Sequence, residues 1–429
     1  MARRMTRLYY VVQSEMLTGG VIEAQVIASL RAHNGVDGHP DTELVFLEPA
    51  RVAFSRAART TLAAYRRMWP SGRIRVVPFV GRLGAWAPGA FLLAHLARER
   101  VRSSSIAFHC RGAPATLSAG FARRALGKGR VVFDIRGAWA EETIHRLGFP
   151  WPERLSPLAA QSYASTLALE RQAAAVADRV FAVSRGLKRY AIDVLGTPES
   201  RVSVVPSCVE RLTFDDAARS EARRAWGVQD DAPVLLYSGR LGRERLPGLM
   251  FRLFRMIRQR RPDARLVVMT YRNQLGDILA EARSAGVPPD AVRCASAHRD
   301  AVVRQLCGAD LGLLFLEPAA RHEHCLPIKT AEYLGAGLGL VVNDTFEVPA
   351  LVRRHRLGWV IGGDDSDAAL AAAASRIVDE LDADRIGLRQ RCLLACSKLF
   401  LWDRYLALIR TAYGPGSGDA SLRGPIEAD

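Results

Sequence analysis

The sequence predicts an α/β protein built from two doubly wound parallel-sheet domains. Three observations carry that expectation. The chain has 429 residues, too many for one ordinary core and suited to two domains of about 200 residues each. Hydrophobic residues make up 49% of it, at a mean hydropathy of +0.01, enough apolar material to fill both. Strand-length apolar runs also alternate with stretches of helical period, and the alternation restarts at mid-chain.

Leu8 to Val12 opens the first half as a strand, followed by the Gly19-Gly20 turn and an apolar-periodic segment from Val21 to Leu30. Glu43 to Leu47, Ile74 to Val80, Ile106 to His109 and Val131 to Ile135 are the next strands, separated by helical stretches such as Ala90 to Arg100. Arg179 to Val183 and Val202 to Val205 close this half. In the second half, strands fall at Val234 to Tyr237, Arg265 to Thr270, Val292 to Ala295, Leu311 to Leu316, Leu338 to Val342 and Trp359 to Ile361. Helices lie between them at Leu246 to Arg260, Leu275 to Ala285, Asp300 to Leu306, Ile328 to Ala336 and Asp367 to Leu381.

A polar, charged stretch between Pro206 and Pro233 marks the boundary, giving an amino-terminal domain over 1–206 and a carboxyl-terminal domain over 207–383. The helical segment 384–413 is long enough to cross back to the first domain. The Gly-, Ser-, Pro- and Asp-rich tail, 414–429, is expected to be disordered. Sheets of this kind bind ligands beyond the carboxyl ends of their strands, so two facing domains would place a site in the cleft between them.

No run of about 20 apolar residues is present, and the basic amino terminus leads into a strand rather than a signal-peptide core. A cytoplasmic location follows as the expectation, with peripheral contact at the inner face of the membrane. The seven cysteines are scattered, none with zinc spacing, and Cys392 and Cys396 read as a helical core stripe. The formal charge of +16 is almost all arginine, the lysines being Lys128, Lys188, Lys329 and Lys398. The arginines are dispersed and lack a recognition helix or aromatic-studded strands, so nucleic acid is the weakest candidate partner. Arg56, Arg59, Arg66 and Arg67 fit a phosphate-bearing lipid carrier or membrane face, and equally an exposed solvated helix.

The most specific segment runs from Cys325 to Gly337, CLPIKTAEYLGAG. Pro327 stands where a first helical residue should, so the backbone N–H groups of that turn can hold an anion. Lys329 adds positive charge there. Glu332, one turn in, is placed to accept bonds from two vicinal hydroxyls, and Gly337 ends the helix. Packing explains the apolar positions of this segment but not Lys329 and Glu332 on one short helix.

This segment resembles the S-x-P-x-K-x-x-E-Y-L-A-x-G version of the nucleotide-sugar site in retaining glycosyltransferases of the GT-B fold, the large family-4 group. The resemblance implies two Rossmann-like domains facing across a cleft. It assigns Glu332 to the donor's ribose and departs from the pattern at the first glutamate, where His324 stands and Glu323 is one residue off. Ser238-Gly-Arg-Leu241 is similar to the family's G-R-L segment, so that Arg240, and Arg245 in place of the usual lysine, would grip the donor diphosphate. Negative charge builds on that group as the glycosidic bond breaks. Gly19 and Gly20 match a loop that brings backbone N–H groups to diphosphate or acceptor. His109 matches a strand-end histidine that contacts the donor sugar, although by its residue type alone it is as readily a core histidine. His298 falls where the family's backbone contacts the nucleobase. Asp134 and Arg136 are similar to a D-x-R-G segment and either pair or line the acceptor side, while Val183-Ser184 and Val204-Val205-Pro206 resemble structural landmarks near the interdomain hinge.

The reading that follows is transfer of a sugar from a nucleotide-sugar donor to a glycan or lipid-linked acceptor, with retention by front-face substitution, in envelope or exopolysaccharide synthesis. No metal is expected, since the arginines and the helix start would take its part, and no cofactor besides the donor. A non-hydrolysing nucleotide-sugar epimerase and a degenerate, non-catalytic binding module remain as alternatives.

Overall fold

The computed structural model describes residues 7–34, 41–81, 86–98, 105–146, 155–295, 299–318, 324–345, 347–414 and 423–429. The chain divides into two compact units, 1–210 together with 402–429, and 211–401.

The first unit carries a seven-stranded sheet: β1 (Arg7–Gln13), β2 (Asp41–Pro49), β3 (Arg73–Phe79), β4 (Ile106–Arg111), β5 (Arg130–Ile135), β6 (Arg179–Ala182) and β7 (Val202–Val204). Their order is β3-β2-β1-β4-β5-β6-β7 and every pair is parallel. The second unit repeats the pattern with β8 (Val234–Ser238), β9 (Arg265–Met269), β10 (Val292–Ala295), β11 (Leu311–Leu314), β12 (Gly339–Asn343) and β13 (Gly358–Ile361), in the order β10-β9-β8-β11-β12-β13. The order reverses at β1/β4 in one sheet and at β8/β11 in the other, the point at which the carboxyl ends of such sheets open a binding crevice. The central strands are almost wholly buried because helices cover both faces, which is why they read as continuous apolar runs, whereas the edge strands β3 and β10 keep Arg73, Arg75 and Arg293 exposed.

Three features differ from the sequence expectation. The charged stretch taken as a boundary contains a helix, Asp216–Trp226, capped by Asp215 and closed by Gly227 at φ +66°. Its buried Arg223 donates to the carbonyls of Gly308 and Ala232, so charge there marks an anchored helix rather than a linker.

The segment 384–413 is not one helix. The helix Asp367–Leu399 kinks at Asp384, ends before Phe400, and a fresh helix runs over Leu406–Tyr413. Trp402, Tyr405, Ile409 and Tyr413 pack on Leu8, Ala107, Val132 and Phe181, so this last piece covers one face of the first sheet.

The tail also departs from expectation. Residues 415–422 lie outside the described residues, but Pro425–Ala428 forms a helical turn with Ile426 fully buried. The Glu427 carboxylate accepts from Lys188 Nζ at 2.9 Å and from the Val204 N–H at 2.9 Å. A buried aliphatic side chain and a paired carboxylate hold a segment whose composition alone reads as disordered.

Candidate active site

In the second unit β8 ends at Ser238 and the chain turns at Gly239, φ +111°. A Cβ there would stand 2.9 Å from Lys329 Nζ and 3.0 Å from its Cε, so glycine lets the lysine press against the turn. The Lys329 ammonium donates to the Tyr237 hydroxyl at 3.1 Å and lies 4.3 Å from the centroid of that ring. Tyr237 in turn donates to the Arg240 carbonyl at 2.6 Å. From the other side the Tyr333 hydroxyl accepts the Ser238 N–H at 2.9 Å.

Side chains from neighbouring loops hold the rest of the turn. Gln274 accepts from the Leu241 N–H and donates to the Leu241 carbonyl, both at 3.3 Å. The Glu317 N–H donates to the Glu244 carbonyl at 3.0 Å, tying the loop after β11 to the loop after β8. That β11 loop is itself clamped by Asn343, whose amide bonds both backbone groups of Leu316. A fixed backbone therefore presents an exposed Arg240 and a half-exposed Arg245.

Pro327 is the N-cap, at φ −63° and ψ 140°, and the helix spans Ile328–Gly335. This corrects the expectation that Pro327 is the first helical residue: the helix starts one residue later, its extended proline aiming the first turn. Lys329 lies in that first turn and half-buried Glu332 about one turn further on. Burial, and then the charge of Arg245, lower the Lys329 ammonium to about 7, against the opposing pull of Glu332 and Glu244. Such an arrangement can take up an anion together with a proton. His324 is half-buried at the place of the absent first glutamate, while Glu323 and His298 lie outside the described residues.

In the first unit the loop after β1 is bent by Ser14, φ +60°, and by Gly19, φ +54°. Glu48 accepts the Met16 N–H at 2.9 Å, and Arg111 at the end of β4 pairs with Glu15 at 2.7 Å and donates to Gln25 at 2.9 Å. Gly19 is required for its backbone conformation. A Cβ on Gly20, which opens a short helix, would meet nothing within 4 Å.

His109 is not at the strand end. β4 runs two residues further, to Arg111, and His109 is buried, stacked 4.4 Å from the Tyr10 ring. Its Nδ1 bonds the Tyr413 hydroxyl at 2.7 Å and its Nε2 lies 3.3 Å from Asp134 Oδ2. Asp134 also pairs with Arg136 at 2.8 Å and accepts from Tyr10 at 3.3 Å, and Arg136 donates to Ser207 at 3.2 Å. Burial would raise the Asp134 carboxyl, but Arg136 and the His109 bond outweigh it and hold the carboxyl well below the usual range. Asp134 and Arg136 thus form a structural pair.

Tyr237, Gln274 and Asn343 are missing from the sequence reading, as are Arg111 and Tyr413. Asn343 carried a signal, a polar residue ending a buried strand; the others look like ordinary strand or helix residues until the fold assembles them.

Two family models match the chain, Glycosyltransferase Family 4 over residues 51–211 and Glycosyl transferases group 1 over residues 232–380. Together they span more than two thirds of it. The chain belongs to the family-4, group-1 glycosyltransferases. Its two sheets are the two Rossmann-like domains of the GT-B fold. A D-inositol 3-phosphate glycosyltransferase of Actinosynnema mirum is 27% identical over 257 residues, 57% of this chain and 59% of that protein. The chain thus matches only about three fifths of that relative's length. Among solved structures, Anabaena HepE in complex with UDP superposes at a TM-score of 0.68 with 13% identity, covering 94% of this chain and 98% of that one. WaaG, a glycosyltransferase involved in lipopolysaccharide biosynthesis, superposes at 0.60 with 15% identity, covering 95% of this chain and 100% of that one. At such identities these two likenesses concern the fold.

Proposed function

We propose that this family-4 glycosyltransferase transfers a sugar, with retention, from a nucleotide-sugar donor to a hydroxyl of a glycan or lipid-linked acceptor in envelope or exopolysaccharide synthesis. The observation that carries the reading is Lys329, half-buried between the Tyr237 ring and the Gly239 turn, with Glu332 about one turn further along the same helix. That is a place for a diphosphate, with a carboxylate spaced to meet the ribose hydroxyls. Arg240 and Arg245, on the turn beside it, meet the charge that grows on the departing diphosphate, so the reading needs no metal. The diphosphate then accepts the acceptor's proton on the face it leaves from. The Gly19-Gly20 loop serves the acceptor or the diphosphate with backbone N–H groups.

His109 enters this reading as a positioning residue. Buried against Tyr413 and Asp134, it fixes the end of β4, from which Arg111 reaches the β1 loop. The name of one relative, a D-inositol 3-phosphate glycosyltransferase, supports an acceptor that offers a hydroxyl.

The test incubates the protein with UDP- and GDP-sugars, in the presence of EDTA, with and without a lipid-linked glycan extract. Release of nucleoside diphosphate that depends on the extract, with the new bond keeping the donor's anomeric configuration by NMR, supports the proposal. Interconversion of the donor sugar with no acceptor would point to an epimerase instead. Nucleotide binding without turnover under any condition would point to a non-catalytic module.

A further inference from the structure

From Pro49 to Arg98 the chain has nine arginines and not one aspartate or glutamate. Within that stretch the helix Arg56–Met68, capped by Ser55, buries Ala58 and Tyr65 against the first sheet. Arg56, Arg59, Arg66 and Arg67 all fall within an arc of about 100° on its opposite, solvent face, at about 3.6 residues per turn. Acidic residues three or four positions from basic ones stabilise a solvated helix; this one has none, and sets Arg59 three positions from Arg56. Among the described residues none of the four pairs with a carboxylate.

Apolar side chains stand beside this stripe. The register aligns Gln13 with Leu47 and Pro49 with Phe79, so β1, β2 and β3 end along one edge of the sheet. Just past those ends come Leu17 and Val21 after β1, Phe54 after β2, and Val80 and Trp86 after β3, all exposed. Phe54 and Trp86 are 69% and 56% exposed. Five of the eleven large apolar side chains exposed among the described residues therefore share this edge, which sets it apart from scattered surface residues. Tyr65 ties the helix to the same edge, its hydroxyl donating to the Met16 carbonyl at 2.8 Å.

We propose that this face of the first unit docks on an anionic lipid bilayer, Phe54 and Trp86 entering the headgroup layer while the arginine stripe lies along the phosphates. Charge complementarity selects the occupant. The arginines meet a surface of dispersed negative charge, and aromatic side chains beside them fit the boundary between headgroups and acyl chains. A nucleic acid would use the arginines but leave the Leu17, Val21 and Val80 side chains unaccounted for. No helix among the described residues is long and apolar enough to cross a membrane, and this face needs none. The proposal rests on the surface alone and stands apart from the chemistry of Lys329 and Glu332.

Flotation of the full chain with phosphatidylcholine vesicles, with and without phosphatidylglycerol, tests it. The protein floats with the phosphatidylglycerol vesicles, is released by salt, and stays behind with phosphatidylcholine alone. Changing the four arginines to glutamine, or Phe54→Ser with Trp86→Ser, weakens partition by about tenfold or more. Circular dichroism and nucleotide-induced thermal stabilisation, read on the same samples, establish that the variants fold and separate this result from that of the donor site. Partition that is equal on both vesicles, absent from both, or unchanged in the folded variants overturns the proposal, as does retention on duplex RNA without vesicle binding.

Discussion

Lys329 and Tyr237 make one unit: the ammonium sits 4.3 Å from the ring centroid and donates to the hydroxyl at 3.1 Å, with the Gly239 turn closing over it. The cation is placed before any ligand arrives, at a cost in solvation that an anion would refund.

That cost sets a pH dependence. Lys329 falls from 10.5 to about 7 in the folded protein, so between these values the unfolded chain holds a proton the folded one lacks. The contribution of Lys329 to stability therefore rises as pH rises from about 7, and below it the charged form is fully penalised. On the proposed reading a diphosphate bound beside Lys329 raises the pKa again, so binding takes up a proton above pH 7. Calorimetry should show nucleotide affinity weakening as pH goes from about 7 to about 9, by up to about tenfold per unit. Lys329→Met should bind more weakly and lose this part of the pH dependence.

Gly312 on β11 leaves room for Tyr333. A Cβ at that position would stand 2.1 Å from the ring, so Gly312→Ala must displace it and break its bond to the Ser238 N–H. Denaturant unfolding should report a loss of about 1–3 kcal/mol, together with weaker nucleotide binding. Tyr333→Phe keeps the ring and should cost about 1 kcal/mol.

Glu170 holds the loop after β5. Its carboxylate accepts the N–H groups of Trp139 at 3.1 Å and Ala140 at 3.0 Å and the Tyr190 hydroxyl at 2.8 Å. Glu170→Ala leaves three donors without their acceptor and should destabilise the protein by about 2–3 kcal/mol in urea titrations.

The Asp134 network should respond to any missing member. Asp134→Ala leaves the Arg136 guanidinium buried without its carboxylate, for which a loss of about 3–5 kcal/mol is expected. Truncation after Leu401 removes Trp402, Tyr405 and Tyr413 from the face of the first sheet. The expected product is aggregated, seen by gel filtration against the full chain.

The thirteen strands could be read from the sequence because most are buried on both faces, which makes each a short apolar run between polar turns, while the edge strand β3 alternates, with Arg73 and Arg75 exposed and Ile74 buried. Helices were harder to read where their role is tertiary. Asp216–Trp226 looked like a linker because its anchors are arginines bonding distant carbonyls. The tail looked unstructured because one isoleucine and one glutamate decide its fate. Lys329, Glu332 and Arg240 were legible as an unusual combination of charges near a glycine turn. For His109 only the place in the strand differs, since nothing in its neighbours says that β4 continues to Arg111 or that a tyrosine over three hundred residues away bonds its ring nitrogen. Tyr237 and Gln274 carry no local mark, and only the fold brings them to the turn.

The most direct test of the proposed donor site is thermal stabilisation of the full protein by UDP-, GDP-, ADP- and dTDP-sugars, with and without EDTA, compared with Glu332→Ala. The account predicts a clear rise in Tm with one nucleotide, indifferent to EDTA and lost in the variant. A rise that survives Glu332→Ala undiminished, or none with any nucleotide from a folded sample, would contradict it.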